Sequence, residues 1–135
     1  MNCDELIEAL EACSIPAAAF DHRAHVQAGF TYLQRHGYAG ALGAMAQSLR
    51  RFAAHHGKAG LYHETITAAF LALIHERMAE DLVALGGDFT RHLDWDRFAA
   101  RHPDLFAKDL IGRYYDRDTL RSDIARRLFV LPKAS

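Results

Sequence analysis

Residues 21–57 read DHRAHVQAGFTYLQRHGYAGALGAMAQSLRRFAAHHG, and this stretch decides the fold. Apolar residues recur in it three and four positions apart, the period of a helix with one buried face. Asp21 is an N-cap type and Gly37 a C-terminal stop, so a helix is expected from about Asp21 to His36. A second is expected from about Ala39 to His56, stopped by Gly57. On the first, His22, His25, Val26, Gly29, Phe30, Leu33 and His36 share a face. On the second, Leu42, Met45, Leu49, Phe52 and His56 form the stripe, and His55 falls off it. The short connection at Gly37 makes the two antiparallel neighbours.

The flanking sequence extends this pattern. A helix from about Asp4 to Cys13 comes first and ends at Ser14-Ile15-Pro16, because the residue before a proline avoids the α region. Another is expected from near Leu61 to about Leu85, where Gly86-Gly87 breaks it. It carries two stripes, His63-Thr67-Phe70-Ile74 and Glu64-Ala68-Leu71-His75-Leu82, as a central bundle helix buried on most sides would. Asp94 caps a short helix ending near His102-Pro103, anchored by Trp95 and Phe98. Residues 104–115 hold another short turn, and Asp116 starts a final helix to about Leu128. No segment alternates with period two, and Ala and Leu are abundant while β-branched runs are scarce. The expected fold is all-α: an antiparallel bundle of three or four core helices with a C-terminal helical extension, in one domain over residues 1–135.

Composition narrows the function classes. Half of the 135 residues are hydrophobic, and 17 acidic against 16 basic residues leave a formal net charge of -1. That balance argues against nucleic acid as a partner and against disorder. The 2 cysteines, Cys3 and Cys13, cannot build a secreted-type disulfide framework. The acidic start lacks the basic segment of a signal peptide, and no apolar stretch reaches membrane-spanning length. A soluble, cytoplasmic protein with no membrane partner is expected, acting on or binding a small molecule. A homodimer is left open.

The 9 histidines carry the functional signal. Chain direction brings the start of the first long helix, the end of the second and the start of the third to one end of the bundle. His22, His25, His56, His63 and Glu64 are therefore expected to converge there, with Cys13 nearby. Neutral imidazoles plus a carboxylate suit Zn, Fe or Mn. The ligand set would be His22, His25, His63 and Glu64, as bundle cores build metal sites from facing helices. The same residues also allow a metal-free site. There a histidine held by Glu64 serves as general base, so that His63 and Glu64 are the catalytic pair. Tyr62, Thr65, Thr67 and His56 would then position the ligand. No organic cofactor signature is present.

The plainer reading of each residue runs beside this one. His56 near a helix C-terminus is electrostatically favourable without any function, and His63 can simply bond a loop carbonyl. His36, His55, His75, His92 and His102 read as surface or packing residues. Cys13 reads as a small buried hydrophobe, with a thiolate role as the sharper option. Tyr114-Tyr115 either close over the bundle end as a lid, Tyr114 contributing to the ligand site, or merely pack. Arg50-Arg51 and Arg126-Arg127 read as solvated faces, and Asp123 with Arg127 as an i,i+4 surface pair.

Three stretches together resemble a group of uncharacterised small bacterial helical proteins. They are Phe20-Asp21-His22-Arg23-Ala24-His25, then His56-Gly57, then Tyr62-His63-Glu64-Thr65-Ile66-Thr67. The C-terminal Arg113-Tyr114-Tyr115, Leu120-x-Ser122 and Ala125-Arg126-x-x-Phe129 are similar to that group as well. The resemblance covers most of the chain from Phe20 onward. It brings no activity, but it singles out His22, His25, His63 and Glu64. The expected function is a metal-dependent small-molecule enzyme, performing hydrolysis, lyase or isomerase, or oxygen chemistry. The alternative is a non-catalytic helical module for a small ligand, a metal or a protein partner.

Overall fold

Asn2 opens the first helix, α1 (Cys3–Glu11), with a reciprocal cap. Its side chain accepts the Glu5 N–H while the Glu5 carboxylate accepts the Asn2 N–H. The computed structural model describes residues 1–133, and every regular element among them is helical. Helix α2 (His22–His55) starts at Asp21, whose carboxylate accepts the Ala24 N–H at 2.9 Å. It is broken at Gly37, with φ 71 and ψ -179, a conformation essentially confined to glycine. The chain doubles back there. The Tyr32 and Ser48 hydroxyls, 16 positions apart, meet at 2.7 Å, where a straight helix would hold them about 24 Å apart. The two helices expected on either side of Gly37 are thus the two arms of α2, residues 22–36 and 38–55.

Helix α3 (Glu64–Ala84) lies against both arms. It begins later than its periodicity suggests, because Ala59–Leu61 forms a 3₁₀ turn, Tyr62 is extended and His63 is the N-cap. Leu6, Ile7 and Leu10 of α1, Val26, Phe30, Leu33, Met45 and Phe52 of α2, and Leu71, Ile74 and Met78 of α3 make one core. The close approach of α2 to α3 requires a small residue at position 29. A Cβ on Gly29 would lie 3.0 Å from Ile74 Cδ1 and 3.3 Å from Leu71 Cδ1.

The last third packs onto this core and contributes Phe98, Leu105 and Leu110 to it. Helix α4 (Trp95–Arg101) is capped by Asp94, and both Trp95 and Phe98 pack on Phe30, with ring centroids 5.2 Å and 4.9 Å away. Two 3₁₀ turns follow, Pro103–Phe106 and Lys108–Arg113. The single final helix expected after Asp116 is in fact two, α5 (Arg117–Arg121) and α6 (Asp123–Arg127). Ser122 splits them. Its backbone is extended, and its hydroxyl accepts the Ala125 N–H at 3.2 Å, capping α6. His102 is more than a packing residue, since its Nε2 sits 2.8 Å from the buried Asp81 carboxylate, which Arg101 also reaches at 3.3 Å. Among the described residues no helix is long and apolar enough to cross a membrane.

Candidate functional site: a histidine-lined cleft at one end of the bundle

The start of α2, the end of its second arm and the start of α3 meet, and a cleft of about 280 Å³ opens between them. His25, His56 and His63 all line it, together with Phe52, Tyr62 and Thr67. A smaller recess of about 50 Å³ lies on the other side of His25, and His22 lines that one. Glu64 lines neither.

Each ring is defined by what its nitrogens touch. His25 Nδ1 lies 2.9 Å from the Asp21 carbonyl oxygen, one helical turn earlier. Only an N–H can face a carbonyl at that distance, so Nδ1 carries the proton and Nε2 keeps its lone pair. Phe20 covers the ring at 4.1 Å. Burial pushes the His25 pKa below its ordinary value. The Asp21 carbonyl pulls the other way with less effect, and neighbouring His22 adds to the lowering. His25 is therefore a neutral base whose Nε2 has no partner among the described residues.

His56 is the second uncommitted ring. Its edge packs against Phe52 at 4.5 Å, and its Nε2 is buried with no hydrogen-bond partner among the described residues. His63 differs although it shares the wall. Its Nδ1 accepts the Ile66 N–H at 3.1 Å, which caps α3, and its Nε2–H donates to the Leu120 carbonyl at 2.7 Å. Both nitrogens are used, and the ring is the neutral Nε2–H tautomer. His22 Nε2 likewise lies 3.0 Å from the Leu105 carbonyl, with its ring edge on Phe70.

The carboxylate expected among these rings points elsewhere. Tyr62 donates its hydroxyl to Glu64 Oε1 at 2.5 Å, and Arg50 approaches the same oxygen at 3.9 Å. Burial first, and then the bond to Glu64, push the Tyr62 pKa up to about 12, so it stays a protonated donor. The expected pairing of Glu64 with a histidine is replaced by this contact. The carbonyl of Asp21, not a carboxylate, orients the base. The four expected metal ligands are not gathered either. Among the described residues no three His, Cys, Asp or Glu side chains are placed to hold one ion. His22 Nε2 is spent on the Leu105 carbonyl, His63 uses both nitrogens on Ile66 and Leu120, and Glu64 is held by Tyr62 and Arg50.

Two further expectations move away from the site. Tyr114 does not close over the bundle end; it flanks α3 beside Leu73, Glu76 and Phe129. Cys13 occupies the left-handed position that ends α1, with φ 55, and does not line the cleft. Thr67 is on the wall, its hydroxyl donating to the His63 carbonyl at 2.8 Å.

Sequence reasoning also missed what most of the Tyr62–Thr67 hexapeptide does. Thr65, fully buried, donates to the Leu128 carbonyl at 2.7 Å and accepts the Val130 N–H at 3.1 Å. Tyr115 donates to the Val130 carbonyl at 2.7 Å, and Arg126 to the Gly60 carbonyl at 2.9 Å. The hexapeptide and the C-terminal stretch are thus one latch, fastened by side chains on backbone. A buried threonine in the first turn of a helix was its only local sign. Lys58 on the cleft rim and Phe20 on its wall were also overlooked as site residues. Comparison with protein-family models, curated proteins and solved structures found no match.

Proposed function

We propose that the chain is a helical binding module for a small organic molecule, held in the 280 Å³ cleft by His25 and His56. The observation that carries this reading is the buried, unpartnered Nε2 of His56, whose ring lines the cleft and brings that nitrogen to a guest by turning about its side-chain bonds. Leaving such a group unpaired costs about 1–3 kcal/mol, and native proteins keep few of them without a purpose. A ligand group that pairs with it recovers that cost. His25 supports the reading, since its tautomer is fixed and its lone pair is uncommitted. The test is titration of the full chain with phenol and indole, following the histidine ring nitrogens by ¹⁵N NMR. The expected result is movement of His25 and His56, with His22 and His63 still. The reading fails if neither ring moves at millimolar probe, or if His56→Leu raises stability and probe binding persists unchanged.

A catalytic reading of the same cleft is favoured by one observation. His25 is a neutral imidazole oriented by a carbonyl, the state a general base needs near neutral pH. Turnover of a bound compound that is abolished in His25→Gln, with binding retained, would select it. A metal-dependent version would start, among the described residues, from Nε2 of His25, Nε2 of His56 and Nδ1 of His22. Recruiting His63 or Glu64 would break a bond described above. Stoichiometric Zn, Fe or Mn in protein purified without a histidine tag would select that version over both others.

A further inference from the structure

We infer that the ligand of this cleft is a compact, flat aromatic acid bearing a hydroxyl group. The inference rests on the cleft being a ligand site, as proposed above. The walls call for a ring. Phe20 and Phe52 meet edge to face at 5.2 Å, Phe20 lies on His25 at 4.1 Å, and His56 stands on Phe52 at 4.5 Å. A flat ring satisfies such walls by stacking or edge contacts worth about 0.5–1.5 kcal/mol beyond simple burial.

Size sets the scale of the guest. A water-sized guest needs roughly 10–15 Å³ of such space, so 280 Å³ takes a ring with two substituents and a few waters at the open mouth. The polar groups fix the substituents. His25 Nε2 can only accept, so the ligand must bring an O–H or N–H to it. Lys58 sits on the rim with no carboxylate in ion-pair range among the described residues. Of the two acids beside the cleft residues, Glu64 is turned to Tyr62 and Arg50, and the Asp21 carboxylate, which acts on His25, is engaged in capping the Ala24 N–H.

Four probes separate these elements: 4-hydroxybenzoate, benzoate, phenol and cyclohexanecarboxylate, titrated into the full chain with ¹⁵N NMR and calorimetry. The expected order places 4-hydroxybenzoate first, with benzoate and phenol each about 3- to 10-fold weaker, the worth of one hydrogen bond or exposed ion pair. Lys58→Glu is expected to weaken both benzoates about tenfold or more and leave phenol unchanged. Lys58 is exposed, so the variant folds. If phenol or cyclohexanecarboxylate binds as tightly as 4-hydroxybenzoate, or Lys58→Glu changes nothing, the ligand class is wrong while the cleft stands. If none of the four moves His25 or His56, and indole does not either, the ligand class and the binding site fall together.

Discussion

Replacing His63 by alanine separates a structural histidine from a catalytic or metal-binding one. The substitution removes two contacts. One is the cap in which Nδ1 accepts the Ile66 N–H at 3.1 Å; losing an N-cap to alanine costs about 1 kcal/mol. The other is the Nε2–H bond to the Leu120 carbonyl at 2.7 Å, whose loss costs about 1 kcal/mol, more where the carbonyl is left dry. The sum is about 2–3 kcal/mol, before any loss of packing from a 9 % exposed side chain. At a urea m-value of about 1–3 kcal/mol/M, the midpoint falls by about 0.7–3 M. His63→Asn can keep the cap and lose only the link to Leu120, so about half of the effect is expected. Urea unfolding followed by circular dichroism measures both. An alanine variant with the wild-type midpoint that loses a bound metal or ligand would refute the structural assignment. So would an asparagine variant no better than alanine.

Three further outcomes follow from named contacts. Thr65→Val keeps the shape but unpairs the Leu128 carbonyl and the Val130 N–H; a loss of about 1–3 kcal/mol is expected, with faster tryptic cleavage at the exposed Arg127 as the latch opens. Gly37→Ala meets no atom within 4 Å, so its cost is backbone strain alone, about 1–3 kcal/mol, read as a lower unfolding midpoint with unchanged helix content. His25 titrates below its unfolded value of 6.5 in the native state, so the unfolded chain takes up its proton first as pH falls. Its contribution to stability is whole above about pH 6.5 and is lost as pH drops through the native pKa. A His25→Gln variant should lose less stability than wild type between pH 7 and 5; equal slopes would contradict the assignment.

What the sequence disclosed follows the range of the interactions. The break at Gly37 was legible because its backbone requirement is local, and helices on either side carry clear apolar stripes. The gathering of His25, His56 and His63 was legible because chain direction in an up-down bundle dictates which helix ends meet. Which ring nitrogens stay free was not, because the partners of His22 and His63 are carbonyls 83 and 57 residues away. His25 was the exception: its partner is the carbonyl of its own N-cap, four residues back, and local geometry alone supplies it. The split at Ser122 was hidden because Leu120 and Ile124 stand i,i+4 across it, which reads as one continuous helix. Glu64 was misassigned because a carboxylate beside a histidine in sequence points away from it on a helix surface.

The most direct measurement is a long-range ¹H–¹⁵N spectrum of the histidine rings, taken on untagged protein near pH 7.5 with and without saturating aromatic probe. The proton is predicted on Nδ1 of His25 and on Nε2 of His63, with only His25 and His56 moving when the probe is added. Finding His25 protonated on Nε2, or His22, His25 and His63 all shifted together by one bound metal, would contradict the cleft as described.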